Sequence, residues 1–83
     1  MSYSLYYSQY CYFCQKVLMH LRGREHPIEL LNVADSAHQS ALITGGGKGQ
    51  VPCLYISQGA GSEQWMYESD DIIAYIKQHE LAM

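Results

Sequence analysis

The sequence is short of charge, and of positive charge in particular. Only 16% of its 83 residues are charged, with five Lys or Arg against eight Asp or Glu and a formal net charge of −3. The five cations, Lys16, Arg22, Arg24, Lys48 and Lys77, are scattered along the chain rather than gathered in a stripe. That argues against generic binding to nucleic acid or to an anionic membrane. Long apolar runs are missing as well: a membrane span needs about 18 consecutive apolar residues, and none occurs. The N-terminal MSYSLYYSQ has neither a positive n-region nor an apolar h-region, so no secretory signal is read there and a cytoplasmic location is expected. Cysteine is also scarce, and three residues are too few and of the wrong parity for a secreted disulfide scaffold.

What is present is a globular composition, with 48% hydrophobic residues, and a length at which only one core is feasible. Residues 1–83 are therefore read as a single domain. Tyr3–Tyr7 is β-prone and predicts a first strand. From about Phe13 the period changes: Cys14, Val17, Leu18 and Leu21 fall on one helical face that Gly23 can terminate. Pro27–Val33 reads as a second strand. Asp35 or Ser36 can cap a short helix through about Ile43, which the glycine run from Gly45 to Gly49 is expected to break into a flexible loop. Cys53–Ile56 and Gln64–Tyr67 read as a hairpin around a turn at residues 57–62. Ser69-Asp70-Asp71 opens a last helix whose inward stripe is Ile72, Ile73 and Ile76. The order β-α-β-α-β-β-α predicts an α/β fold: a four-stranded mixed sheet flanked by three helices.

The chemistry-bearing pattern is Cys11-Tyr12-Phe13-Cys14, placed between a strand and a helix. A thiol attacks as its thiolate, and backbone N–H groups and the dipole at a helix start stabilise that charge. Cys14, one turn on, can reach back to resolve a mixed disulfide on Cys11, and Lys16 either adds a nearby positive charge or stands as a solvated helix residue. The same spacing serves zinc sites. Beyond Cys53, however, the chain offers only isolated histidines, His20, His26, His38 and His79, and no second pair completes a four-ligand set. No metal site is assigned, and Cys53 reads as a small core residue. Tyr6, Tyr10 and Tyr12 lie near the pair, as lining of a groove or as packing.

Three motifs in order, Cys11-Tyr12-Phe13-Cys14 at a helix start, Gln50-Val51-Pro52 before a strand and Glu68-Ser69-Asp70-Asp71 opening the last helix, resemble the glutaredoxins along about the whole chain. The resemblance implies a thioredoxin-like fold with a cis Pro52 facing the first cysteine. It also implies a glutathione-dependent thiol–disulfide oxidoreductase that reduces protein disulfides or glutathionylated proteins, working as a monomer with glutathione as co-substrate. Cys11 would be the nucleophile and Cys14 the resolving thiol. The backbone of Val51 would pair with that of glutathione, beside Pro52. Ser69 and Asp70 would hold the γ-glutamyl end, with helix N–H groups on the carboxylate and Asp70 on the amine. Lys48, in the glycine-rich loop before Val51-Pro52, is read either as a partner of the glycyl carboxylate in place of the family's lysine or as an ordinary solvated lysine, and Tyr12 would line the site. From local sequence alone, Ser69-Asp70-Asp71 also reads as simple N-capping.

The chain departs from that pattern. Tyr12 stands where most dithiol members have proline, Phe13 where they have tyrosine, and Ser8 where many have lysine. Tyr67-Glu68 replaces a Gly-Gly pair, which makes this stretch also similar to the Glu-Ser motif of glutathione transferase N-terminal domains. Those enzymes use a second, helical domain for which 83 residues are expected to leave no room. Two alternatives accompany the departures: a dimer bridging a [2Fe-2S] cluster through Cys11 and glutathione, or a thioredoxin-fold binding domain without catalysis.

Overall fold

The computed structural model describes residues 1–59 and 61–82. The chain runs β1 (Ser2–Tyr7), α1 (Tyr12–Leu21), β2 (Ile28–Asn32), α2 (Ser36–Gly46), β3 (Cys53–Gly59), β4 (Ser62–Met66) and α3 (Ser69–Gln78). The strands form one sheet in the order β2-β1-β3-β4. β1 lies parallel to β2, with Leu5 opposite Leu30, and antiparallel to β3, with Leu5 opposite Leu54. β3 and β4 are antiparallel, Tyr55 facing Trp65. A parallel neighbour requires a crossover, and α1 supplies it. This is the thioredoxin-like α/β fold.

Alternation along the two central strands feeds two cores. Leu5, Leu54 and Ile56 point to the face covered by α1 and α3, where they pack with Val17, Leu21, Ile72 and Ile76. Tyr6 and Cys53 point to the opposite face and meet Leu42 of α2, flanked by Tyr55, Trp65 and Tyr67. Each fully buried Leu or Ile contributes roughly 1.5–3 kcal/mol of transfer free energy. The core of eight buried side chains between the sheet and the α1–α3 pair therefore carries most of the hydrophobic stabilisation. Ile72 and Ile76 are buried as expected, whereas Ile73 is only partly covered.

The structure corrects the expectation for the glycine run. α2 does not stop at Ile43 but continues through Thr44, Gly45 and Gly46, and ends at Gly47, whose φ of 88° is the left-handed cap conformation that glycine adopts without penalty. The reason lies on β4 and the residue just after it: a Cβ on Gly45 would overlap the indole of Trp65, and one on Gly46 the hydroxyl of Tyr67. The two glycines let the end of α2 lie directly on these rings, and packing overrides their low helix propensity. β3 also runs past Ile56 to Gly59, because Ser57 still pairs with Ser2 on one side and Glu63 on the other. β4 accordingly starts at Ser62 and ends at Met66, before Tyr67.

Candidate functional site

β1 ends at Tyr7, and a turn in which the Cys11 N–H donates to the Ser8 carbonyl at 3.2 Å brings the chain into α1. Cys11 is the N-cap of that helix. Its backbone is extended and its Sγ accepts the N–H of Cys14 at 3.3 Å. The sulfur thus takes the place of a capping oxygen, facing N–H groups that have no intrahelical partner. Cys11 is partly exposed, whereas Cys14, three residues into the helix, is fully buried. The Sγ of Cys14 accepts the N–H of Ser8 at 3.5 Å. Burial pushes its thiol up to about 12, a hydrogen bond to Cys11 adds to the rise, and the Ser8 N–H opposes it. The pair therefore divides into an accessible sulfur and a buried one held as the protonated thiol.

Across from Cys11, the Val51–Pro52 peptide bond is cis, and the Cys11 thiol lies 3.8 Å from the Val51 carbonyl oxygen. Val51 sits just before β3 and outside its ladders, so its backbone forms a free edge beside the sulfur. A cleft of about 190 Å³ opens there, bounded by Gln50–Pro52 on one side and Tyr67–Asp70 on the other, with Phe13 at its edge. The N-terminus of α3 enters this cleft. Its N-cap is Glu68, whose side chain makes no capping bond. The N-capping read from Ser69-Asp70-Asp71 is thus not made, and among the described residues no side chain accepts from the first-turn N–H groups of α3. Ser69 is buried against the cleft floor. Asp70 is exposed and ion-paired with Lys16 of α1, Nζ to carboxylate oxygen 3.0 Å.

Six of the singled-out residues, Cys11, Cys14, Val51, Pro52, Ser69 and Asp70, converge on this end of the sheet. Lys48 does not line the cleft. Its ammonium lies 4.5 Å from the centre of the Tyr67 ring, and its carbonyl accepts the Tyr67 hydroxyl at 3.2 Å. It therefore reaches the cleft only through Tyr67. Tyr12 points away into solvent, edge-on to Phe13 with ring centres 5.4 Å apart, and Phe13 takes the place beside the cleft. Tyr6 is packing, buried against Trp65, and Tyr10 is exposed. Lys16 is engaged by Asp70 rather than by the sulfur of Cys11. Cys53 is buried beneath Tyr67, as a core residue, and burial pushes its thiol up to about 11. Gln50 and Glu68, members of the Gln50-Val51-Pro52 and Glu68-Ser69-Asp70-Asp71 motifs, and Tyr67, which adjoins the second, complete the cleft; adjacency to Glu68 was the signal available for Tyr67.

Among the described residues no group of three or more His, Cys, Asp or Glu side chains converges as a metal site. Of the three cysteines, Cys11 alone is partly exposed. None of the described helices is long and apolar enough to cross a membrane.

The family model of the glutathione S-transferase N-terminal domain matches residues 5–81. The chain belongs to this family. As a glutathione S-transferase N-terminal domain it is tied to glutathione chemistry, in a redox or a binding role. The match runs from the middle of β1 past the end of α3 and so includes the sulfur of Cys11, the Val51–Pro52 edge and the mouth of α3 in one domain. No curated protein and no solved structure matches the chain.

Proposed function

We propose that this glutathione S-transferase N-terminal domain is a glutathione-dependent thiol–disulfide oxidoreductase of the glutaredoxin type, with Cys11 as nucleophile. The observation that carries the reading is the division of labour in the cysteine pair. Cys11 is accessible, receives an N–H from its own helix and stands 3.8 Å from the free Val51 edge, while Cys14 touches it from the buried side.

Glutathione occupies the cleft with its backbone along Val51 and its γ-glutamyl carboxylate on the uncapped N–H groups of α3. The Cys11 thiolate attacks the glutathione sulfur of a mixed disulfide. A Cys11–glutathione disulfide forms, the bond to the substrate breaks, and the substrate leaves as its thiolate, which takes up a proton. The thiolate of a second glutathione then attacks the glutathione sulfur on the enzyme, releasing the Cys11 thiolate and glutathione disulfide. One glutathione thiol is oxidised in each turnover, because the other half of the glutathione disulfide arrives already oxidised in the substrate's mixed disulfide. Cys14, held protonated by burial, is dispensable for this route and serves where the substrate disulfide joins two protein thiols: its proton passes to the departing substrate thiolate as it closes a Cys11–Cys14 disulfide, which two glutathione thiols then reduce, leaving as glutathione disulfide.

The test is glutathione-coupled reduction of a small glutathione mixed disulfide. Cys11→Ser is expected to abolish turnover and Cys14→Ser to retain most of it; a Cys11→Ser variant as active as the parent overturns the assignment.

A further inference from the structure

Lys16, His20 and Arg24, spaced four residues apart along α1 and just beyond its end, come together outside the cleft with Lys77 of α3. On the outer surface of the α1–α3 pair, His20, Arg24 and Lys77 line two adjoining depressions. One, of about 610 Å³, also includes Glu80 and Ala82. The other, of about 470 Å³, includes Lys16, Met19 and Ile73. The three shared residues make the two a continuous groove. Among the described residues the single ion pair is Lys16–Asp70, so neither Arg24 nor Lys77 is ion-paired with a described carboxylate, although Glu80 lines the same groove. Burial, then Arg24, then Lys77 lower the pKa of His20, which agrees with cations crowded on one side of the ring. Met19, two-thirds exposed, adds an apolar strip.

The groove begins where the cleft ends. Asp70 borders the cleft and its partner Lys16 borders the groove. His20 lies nine residues along α1 from Cys11, about 14 Å at 1.5 Å per residue, and Arg24 lies just beyond the helix end. An extended peptide covers that distance in roughly four to six residues.

Resting on the oxidoreductase reading, we propose that the α1–α3 groove is a docking surface for the polypeptide side of the substrate, selecting disulfides whose cysteine is followed or preceded, four to six residues away, by acidic side chains. Arg24 and Lys77 pair with the carboxylates and Met19 covers the intervening chain, while glutathione stays in the cleft. A nucleic acid is a poorer fit: the chain carries a net charge of −3 with a pI near 5.7, and Glu80 stands within the groove, whereas a nucleic-acid footprint is a basic domain surface.

Two peptides of equal length, each with one cysteine as its glutathione mixed disulfide, test this. One carries three Glu four to six residues from the cysteine, and the other carries three Gln there. At low ionic strength the acidic peptide is expected to show a kcat/KM about fivefold or more above the neutral one. That advantage is lost in about 0.5 M NaCl and in the Arg24→Gln/Lys77→Gln variant, which turns over the small cysteine–glutathione disulfide at the parent rate. Equal rates for the two peptides, or a preference that survives in the variant, overturns the proposal. Failure of the parent on the small disulfide overturns the oxidoreductase reading instead, and the groove is then read by fluorescence anisotropy with the cysteine of each peptide replaced by serine. Weaker binding of the acidic serine peptide than of a single-stranded oligonucleotide also overturns the acidic-peptide assignment.

Discussion

The Nζ of Lys16 lies 3.0 Å from the carboxylate of Asp70, 54 positions away along the chain. In the glutathione pose that the glutaredoxin resemblance implies, that carboxylate would receive the γ-glutamyl ammonium, so the ligand's amine and the lysine would compete for one acceptor. Asp70 is 84% exposed and Lys16 37%, and an exposed pair of this kind is worth at most about 1 kcal/mol.

Lys16→Gln is therefore expected to lower the KM for glutathione by roughly two- to fivefold, because the incoming ammonium no longer displaces a resident one. Asp70→Asn is expected to raise it. Steady-state titration of glutathione against a fixed mixed disulfide measures both. A rise in KM for Lys16→Gln identifies the lysine as a ligand contact rather than a competitor.

The three cysteines are predicted to differ in reactivity by position. Cys11 is partly exposed, while Cys14 and Cys53 are fully buried, with thiols pushed up to about 12 and about 11 by that burial. Brief treatment of the reduced, folded protein with iodoacetamide near neutral pH should add one carbamidomethyl group, at Cys11. The same treatment in denaturant should add three. Peptide mass mapping reads the sites, and early labelling of Cys14 in the folded protein would contradict the burial described above.

Much of the fold was legible because its signals are local. The period of Cys14, Val17, Leu18 and Leu21 gave the first helix, and β-prone runs bounded by turn residues gave the strands. The ordered motifs around Cys11, Val51-Pro52 and Ser69 gave the cleft. What the sequence hid are contacts between distant segments. Gly45 and Gly46 read as breakers because nothing nearby announces that Trp65 and Tyr67 will cover them. Lys16 read as a neighbour of the sulfur because only the α1–α3 packing reveals Asp70 as its partner. Cations that look scattered in the chain gather when α1 and α3 align. Phe13 rather than the expected Tyr12 borders the cleft, because consecutive helical residues point about 100° apart.

Alanine at Gly45 isolates that long-range contact. In an open helix Gly→Ala is stabilising by up to about 1 kcal/mol, but here the new methyl meets the six-membered ring of Trp65. That ring is confined by Tyr6 and Tyr55, with centres 5.8 and 4.4 Å away. Gly45→Ala is therefore expected to destabilise the domain by about 1–3 kcal/mol, as overpacking does. Urea unfolding followed by Trp65 fluorescence measures the loss, and a stabilised variant would show that α2 does not rest on this ring.

Buried thiols also set an alkaline limit on stability. Burial raises Cys53 from 9.0 to about 11 and Cys14 from 9.0 to about 12. The folded state therefore keeps protons that the unfolded chain gives up first. Between these values the unfolded chain binds fewer protons, so stability falls as pH rises; below about pH 8 neither thiol contributes a slope. Tyr6 and Tyr67, raised above 10.0 chiefly by burial, act in the same direction further up. The shift at Cys53 alone corresponds to about 3 kcal/mol across the window. Urea midpoints should stay level up to about pH 8 and then decline through pH 9–11. Cys53→Ala should start lower, because it leaves a cavity between Tyr6 and Leu42, yet decline less steeply over the same interval. Parallel pH profiles for the parent and the variant would show that the buried Cys53 thiol is not the group losing its proton.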